Sequence, residues 1–166
     1  MITRRQWLLL GALCAPLSFP ANAASDAECS IWLCLPTGFP SGCGEAKSAF
    51  KDRIKNRKFP LPSFTSCMAP ASSLPPGTPV SNMTAKHGIA AVMSYSRQCT
   101  LLSVNNAGQQ VCSQWEMKPD KVIRGTSCRT YGNKENKYRR PEGCLGTTDW
   151  VETYMDGQKY GDTFYY

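Results

Sequence analysis

The stretch that decides the fold is Cys29-Ser-Ile-Trp-Leu-Cys34-Leu-Pro-Thr-Gly-Phe-Pro-Ser-Gly-Cys43, which continues through a charged run at 44–58 to Pro60-Leu-Pro-Ser-Phe-Thr-Ser-Cys67. It contains four cysteines, one tryptophan and two segments with helical patterning. Its cysteine spacings contain no Cys-x2-Cys pair, the usual feature of a structural zinc site. We therefore interpret the stretch as a disulfide-stapled helical module and assign it no metal ion and no cofactor.

Two helices are predicted in this module. The segment 25–28, Ser-Asp-Ala-Glu, is a capping box that starts the first helix, which runs to about Leu35 and is ended by Pro36. After a turn, a second helix covers about 44–57, because apolar residues recur there at spacings of three and four. That apolar face consists of Cys43, Ala46, Phe50 and Ile54.

The cysteine pairing is open at this stage, since four cysteines allow three arrangements. Five residues separate Cys29 from Cys34, so on a helix their side chains point ~140° apart and are expected to bond to different partners. The simplest arrangement, Cys34–Cys43 with Cys29–Cys67, closes a helical hairpin at both ends. In the second half of the chain, the corresponding guesses are Cys99–Cys112 and Cys128–Cys144.

The first 23 residues are typical of a secretory signal peptide. Arg4 and Arg5 precede an apolar run at 7–17 that is too short to span a bilayer, and the segment 21–23, Ala-Asn-Ala, fits a cleavage site. An uncleaved anchor, a twin-arginine signal and lipidation at Cys14 are less favoured alternatives. Cleavage would lower the net charge from +7 to +5 by removing the two arginines, and would leave eight cysteines. An even cysteine count in an exported chain favours disulfide bonds in an oxidising compartment.

The rest of the chain has strand-like composition. Residues 68–82 are rich in proline and form a predicted linker or surface loop, and 83–166 form a β-rich part that packs with the helical module at 24–67 as one domain. Predicted strands lie at 90–95, 100–104, 109–117 and 122–128, and a polar loop lies at 133–141; a short helix is the alternative for 90–95. A final hairpin joins 150–155 to 158–164 through Asp156-Gly157 as a type I′ turn. The predicted fold class is α+β: a disulfide-stapled helical hairpin followed by a small antiparallel β-sheet.

The sequence shows no reaction chemistry, and we assign no catalytic residue. His87 is the one histidine of the chain, in a segment that reads as a loop, and no Gly-x-Ser-x-Gly nucleophile motif is present. A carboxylate pair for glycan cleavage would have to come from the acidic residues near the C-terminus, which surround a predicted hairpin where polar residues are expected anyway. Those residues are Asp149, Glu152, Asp156 and Asp162.

A basic run and the aromatic C-terminus are candidates for an interaction surface. The run at 134–140 suits an anionic partner, although Glu135 and Glu142 interrupt it and a solvated loop is favoured; we expect no nucleic acid. The aromatic residues form either a binding patch or the packed face of the sheet. The candidate surface consists of Lys134, Lys137, Arg139, Arg140, Tyr160 and Phe164.

One stretch also resembles a known family. Cys29-x4-Cys34-Leu35, the turn with Phe39-Pro40, Cys43 at a helix start and the distal Cys67 resemble the TrbM/KikA/MpfK family of conjugal transfer proteins. The segment 31–36, Ile-Trp-Leu-Cys-Leu-Pro, carries most of this resemblance, which covers about 29–67 and does not extend to 68–166. It implies an exported periplasmic accessory of a conjugation or type IV secretion apparatus, active in mating-pair formation. Its implied partners are envelope proteins of that apparatus, and it implies no catalytic residue.

Two alternatives belong to other functional classes. The first is an enzyme or toxin that acts on the cell envelope, for example on peptidoglycan. The second is a periplasmic inhibitor or exclusion factor. An enzyme requires a concave site with carboxyl groups of perturbed pKa, whereas an interaction protein requires an exposed apolar or aromatic patch.

Overall fold

A computed structural model describes residues 24–69 and 73–166. The predicted signal peptide, with Cys14, lies outside these residues. The described chain combines short helices with antiparallel β-sheets. Its helices are α1 (Asp26–Cys29), α2 (Ile31–Cys34) and α3 (Gly44–Lys55), with 3-10 turns at Leu35–Thr37 and Phe64–Cys67.

The first predicted helix is broken, so the helical hairpin drawn from the sequence is not a pair of regular helices. The capping box is present: Glu28 N donates to the Ser25 side chain, and the Glu28 carboxylate accepts from Ser25 N. The break falls at Ser30, whose ψ of −16° is flatter than in an α-helix. The Ser30 hydroxyl donates to the Asp26 carbonyl at 2.8 Å, a local bond that bends helices.

The turn after α2 places an aromatic ring in the core by means of two residues with positive φ. Gly38 has φ +77° and Phe39 has φ +57°, a region in which a bulky residue is rare. The Phe39 N–H donates to the Cys34 carbonyl, and the Phe39 side chain is buried against Phe50. Burial of this ring offsets the cost of its backbone conformation.

Helix α3 begins and ends close to the predicted positions. Ala46 and Phe50 are buried, and Cys43 and Ile54 are partly buried, as the apolar face predicts. Arg53 ties this helix to both neighbouring segments. Its guanidinium donates to Glu28 of α1 at 2.6 Å and to the carbonyl oxygens of Phe59 and Leu61 in the returning chain.

All eight described cysteines are disulfide-bonded, and the four pairs are those predicted from the sequence. They are Cys29–Cys67, Cys34–Cys43, Cys99–Cys112 and Cys128–Cys144. Four disulfides indicate an oxidising compartment outside the cytoplasm.

The main sheet has four antiparallel strands. β1 (Met83–Val104), β2 (Gln110–Arg124), β5 (Gly146–Met155) and β6 (Gln158–Tyr165) follow the order β2-β1-β5-β6. A separate pair consists of β3 (Arg129–Tyr131) and β4 (Tyr138–Arg140). The predicted final hairpin is present, and φ values of +49° at Asp156 and +83° at Gly157 fit its type I′ turn.

Three strand predictions need correction. The predicted strands at 90–95 and 100–104 belong to one strand of 22 residues, because the intervening residues 96–99 also pair with β2, and β-bulges lie on either side of them. The strand predicted at 122–128 is the end of β2, which stops at Arg124, and the polar loop at 133–141 contains β4. His87 lies inside β1 and not in a loop.

One core joins the helices to the sheet. Ile31, Leu35 and Phe50 are buried together with Val151 of β5. The Phe50 ring meets Phe164 and Tyr166 edge-on, with centroids 5.5 and 5.1 Å apart. The backbone of β6 also passes so close to Pro36 that a Cβ at Gly161 would overlap it.

Replacement of Phe50 by alanine should lower the free energy of unfolding by about 3–5 kcal/mol, because it empties the contact between α3 and β6. Leu33→Ala provides the control, since Leu33 is 69% exposed and truncation of an exposed side chain should cost less than about 0.5 kcal/mol. Urea denaturation under non-reducing conditions measures the change in the free energy of unfolding for both variants. Equal effects of the two substitutions would show that α3 does not pack on the sheet.

The two disulfides of the helical module should contribute unequally. Cys29–Cys67 spans 38 residues and Cys34–Cys43 spans 9. From loop-closure entropy, removal of the first by paired alanine substitutions should cost about 4 kcal/mol and removal of the second about 2.5 kcal/mol. Comparison of the two double variants in denaturant tests this order, and a larger loss for the short loop would contradict it.

Candidate interaction surface

The longest hairpin of the sheet extends beyond the strands that support it. β1 pairs with β5 over Met83–Val92 and, from Ser94 to Val104, with β2 alone. We call residues 94–121 the hairpin arm. Eleven residues of β1 in this arm correspond to roughly 35 Å of two-stranded ribbon.

The outer part of the arm is exposed on both faces. Every residue from Arg97 to Val104 is exposed, although an ordinary sheet strand buries at least one face. Large apolar side chains are exposed on both strands of the arm. On β1, Leu102 is 60% exposed and Val104 is 67% exposed, and on β2, Trp115 is 50% exposed. Apolar surface of this kind, clustered on one element, marks an interaction site more often than scattered apolar residues do.

The arm carries no charge over its outer 18 residues. From Gln98 to Trp115 there is no Asp, Glu, Lys, Arg or His, in a chain whose formal net charge is +7. Natural edge strands usually carry charges, especially lysine, that prevent pairing with other chains. The outer arm lacks that protection, which favours a partner with an apolar, uncharged contact surface.

The arm is cross-linked at its tip. Cys99–Cys112 joins the strands, and the Asn105 side chain accepts from the N–H groups of Ala107 and Gln109 in the turn. Gly108 takes a φ of +75°, which suits glycine. A two-stranded hairpin without a core is marginally stable by itself, so these bonds supply rigidity that core packing does not. A rigid, preformed surface loses less conformational entropy on binding.

An ion cluster around one buried carboxylate anchors the base of the arm. Arg124, the last residue of β2, donates to both carboxylate oxygens of Glu152 on β5, at 2.7 and 3.2 Å. Thr163 and Tyr154 donate their hydroxyls to the same carboxylate, and the Lys159 ammonium lies 3.0 Å from it. Side chains of three strands therefore converge on one carboxylate.

This carboxylate is ionised, because hydrogen bonds from Arg124 hold the pKa of Glu152 well below its usual range against the opposing effect of burial. The Glu152 side chain is only 5% exposed, yet its oxygens are fully hydrogen-bonded. A general acid requires the opposite shift, toward a raised pKa. The arrangement favours a structural role for Glu152.

Gly88 makes the anchor possible. The Trp150 ring lies against this residue, where a Cβ would stand 3.3 Å from the indole, and the indole N–H donates to the Ile89 carbonyl. The Arg124 guanidinium stacks over the same ring, 4.2 Å from its centroid. A larger residue at position 88 would move the indole, and with it the guanidinium that holds Glu152.

The other acidic residues named from the sequence do not join Glu152. Asp149 is exposed and three residues away along β5, so strand alternation places it on the opposite face. Asp156 accepts from the Asn82 N–H in the hairpin turn, and Asp162 is exposed. The structure thus places no second carboxylate of this set beside Glu152.

The structure separates the residues of the predicted interaction surface. Phe164 packs on Phe39 and Phe50 in the core, while Tyr160 is 39% exposed on β6. The Arg139 guanidinium donates to the carbonyl oxygens of Cys144 and Leu145 and thereby holds a loop. The remaining residues, Lys134, Lys137 and Arg140, are exposed around β4.

Other candidate chemistries find little support in the described ranges. His87 is exposed on β1 and meets Phe59 edge-on, 5.2 Å between ring centroids. Within residues 24–69 and 73–166, no three His, Cys, Asp or Glu side chains group in a way that could hold a metal ion. In the same part of the chain, no helix is long and apolar enough to cross a membrane.

Comparison with known proteins identifies no relative: no protein-family profile, no curated protein and no solved structure matches this chain. The resemblance of 29–67 to the TrbM/KikA/MpfK family therefore stays a prediction.

The sequence predicted the outer hairpin of the arm, with strands at 100–104 and 109–117 and the bond Cys99–Cys112, but not its extension beyond the rest of the sheet. Two signals for it were present, namely the uncharged run at 98–115 and a cysteine pair that brackets a turn at 105–108. Neither signal predicts that the hairpin is exposed, because its exposure depends on where β5 ends.

Glu152 should make stability depend on pH in a defined direction. Because folding lowers the pKa of Glu152, its carboxylate contributes fully to the free energy of unfolding above about pH 5. That contribution falls at lower pH, where acid protonates this carboxyl in the unfolded chain, whose ordinary pKa is 4.5. Glu152→Gln should cost about 1–3 kcal/mol at pH 7, and the difference from the wild type should shrink below pH 4.5.

Glu142→Gln is the matched control, because Glu142 is exposed and its removal should leave the pH profile unchanged. Thermal and urea unfolding between pH 3 and pH 7 give the comparison. A constant difference between wild type and Glu152→Gln across this range would contradict the assignment of an ionised, paired carboxylate.

Proposed function

We propose that this protein is an exported accessory of a bacterial conjugation or type IV secretion apparatus, and that it acts in the periplasm by binding another envelope protein through its hairpin arm. The observation that carries the proposal is the outer part of the arm, 98–115, which is cross-linked by a disulfide, uncharged and exposed on both faces. The four disulfides support an oxidising compartment. The resemblance of 29–67 supports the link to mating-pair formation.

The arm favours a partner that adds a β-strand. β2 is the end strand of the sheet, and beyond Val92 the second edge of β1 has no strand beside it in the described chain. Both edges present backbone N–H and C=O groups that a partner strand can pair with. The flanking side chains, Leu101, Leu102 and Val111, would fix the register through apolar contacts. We therefore assign the partner an extended segment with uncharged, apolar side chains.

An enzyme directed at the cell envelope is less well supported. Its best candidate acid, Glu152, is occupied by Arg124, Thr163 and Tyr154 and has a lowered pKa. An interaction role needs no residue beyond those that the arm exposes.

The arm is tested by Leu101→Ser combined with Leu102→Ser. Both side chains are more than half exposed, so the double substitution should leave accumulation and melting temperature unchanged. In a donor strain that lacks the native gene, it should lower conjugative transfer by about tenfold or more, since interface hot spots contribute at this level. Leu33→Ser is the control with equal exposure outside the arm, and should restore wild-type transfer.

A photo-crosslinking residue at position 102, with position 33 as control, then identifies what the arm touches in living donors. The expected product is a single adduct, at position 102 only, with an envelope component encoded beside the transfer genes. An adduct with a second copy of this chain would replace the proposed partner by self-association. Normal transfer after deletion of the gene would overturn the assignment to conjugation.

A further inference from the structure

The small sheet formed by β3 and β4 places two arginines opposite each other. Arg129 and Arg140 are direct cross-strand partners, a position in which like charges destabilise an antiparallel pair. No carboxylate of the described chain forms a salt bridge with either of them. Their mutual repulsion is therefore not neutralised by an acidic partner in this part of the structure.

Both arginines are among the residues that line a cleft of about 440 Å³ between this small sheet and β1. Its wall also includes the hydroxyl residues Thr126 and Ser127 and the aromatic residue Tyr131, and none of the described lining residues is acidic. A cleft of this size accommodates a small organic ligand and not just a bare ion.

Local contacts hold the two arginines in place. The Arg129 Nε donates to the Ser127 hydroxyl at 3.0 Å, and the Arg140 guanidinium lies over the Tyr138 ring, 5.6 Å from its centroid. Tyr138 in turn stacks on Tyr131, with ring centroids 5.8 Å apart and planes at 21°. The disulfide Cys128–Cys144 closes the loop that carries both strands. Each guanidinium keeps N–H groups that these contacts leave available.

We propose that this cleft binds a phosphate group carried on a small organic moiety such as a sugar, with Arg129 and Arg140 on the phosphate oxygens and Tyr131 against the attached group. Guanidinium groups match phosphate geometry through paired N–H donors, and two of them neutralise a dianion. A bound phosphate would also relieve the repulsion between the two arginines. The inference is independent of the function proposed for the arm.

The basic run seen in the sequence is thereby divided by role. Arg140 belongs to the cleft, Arg139 holds a loop, and Lys134 and Lys137 lie in the exposed turn between β3 and β4. The partner of Arg140, Arg129, lies outside that run and is brought to it by strand pairing alone.

Calorimetric titration of the full exported protein with glucose 1-phosphate, with inorganic phosphate and with glucose tests the site. We expect binding of the two phosphates and none of glucose. Arg129→Gln and Arg140→Gln should each weaken phosphate binding by about tenfold or more, the usual effect of losing a charged hydrogen-bond donor. Arg97→Gln is the matched control, because Arg97 is also exposed and stacked on an aromatic ring, Trp115 at 4.9 Å, but lies in the arm.

A second measurement separates the sources of the phosphate. Co-sedimentation with vesicles of phosphatidylglycerol and phosphatidylcholine shows whether a lipid headgroup fills the cleft, in which case the two cleft variants stay in the supernatant while Arg97→Gln sediments. Binding of glucose 1-phosphate without sedimentation assigns the site to a free ligand. Equal losses in Arg97→Gln and the cleft variants, or no phosphate binding by the wild type, would overturn the proposal. Circular dichroism of each variant confirms that it is folded.

Discussion

Two disulfide bonds fix the short segment between Cys29 and Cys34, and the core that the helices share with the sheet is built around that segment. Each end of it is tied to a different part of the chain: Cys29 to Cys67, and Cys34 to Cys43 at the start of α3. Four-residue helices have no stability of their own, because helix nucleation is unfavourable. The cross-links and the burial of Ile31 and Leu35 hold these turns in place. β6 then lies directly on them, with Gly161 against Pro36.

The sheet is built from two parts with different physical roles. Its inner half contributes Met83 and Val151 to the core shared with the helices, and is held by Glu152, whose charge is balanced by Arg124 and Lys159. The outer part of the hairpin arm is exposed, with no covering layer among the described residues and no charged side chain at its tip. A rigid base with a rigid, uncovered projection suits a protein that presents a surface to a partner. The ion cluster at Glu152 and the hairpin arm are linked in sequence, because Arg124 is the last residue of β2, the strand that forms one side of the arm.

Prediction from sequence succeeded where the signal was local. The capping box at 25–28, the apolar face of α3 and the type I′ turn at Asp156-Gly157 each depend on residues close together in the chain, and each is present. It failed where a long-range contact decides. β1 begins at Met83 because β5 pairs with a polar, glycine-containing segment that resembles a loop. The extension of the arm beyond the rest of the sheet was missed for the same reason. The helix break at Ser30 is a separate failure, since it accompanies a local bond to the Asp26 carbonyl that the helical pattern did not predict.

The sequence by itself determined the disulfide-rich character of the protein, its mixed helix and sheet content and the amphipathic face of α3, because cysteine count, periodicity and turn chemistry are local properties. The tertiary structure alone decided which residues are available to a ligand or a partner. It packed Phe164 against the core, bound Arg139 to backbone carbonyl oxygens, set Arg129 opposite Arg140 and left the outer arm exposed. Exposure and cross-strand pairing depend on where distant strands begin and end, and no local pattern encodes that.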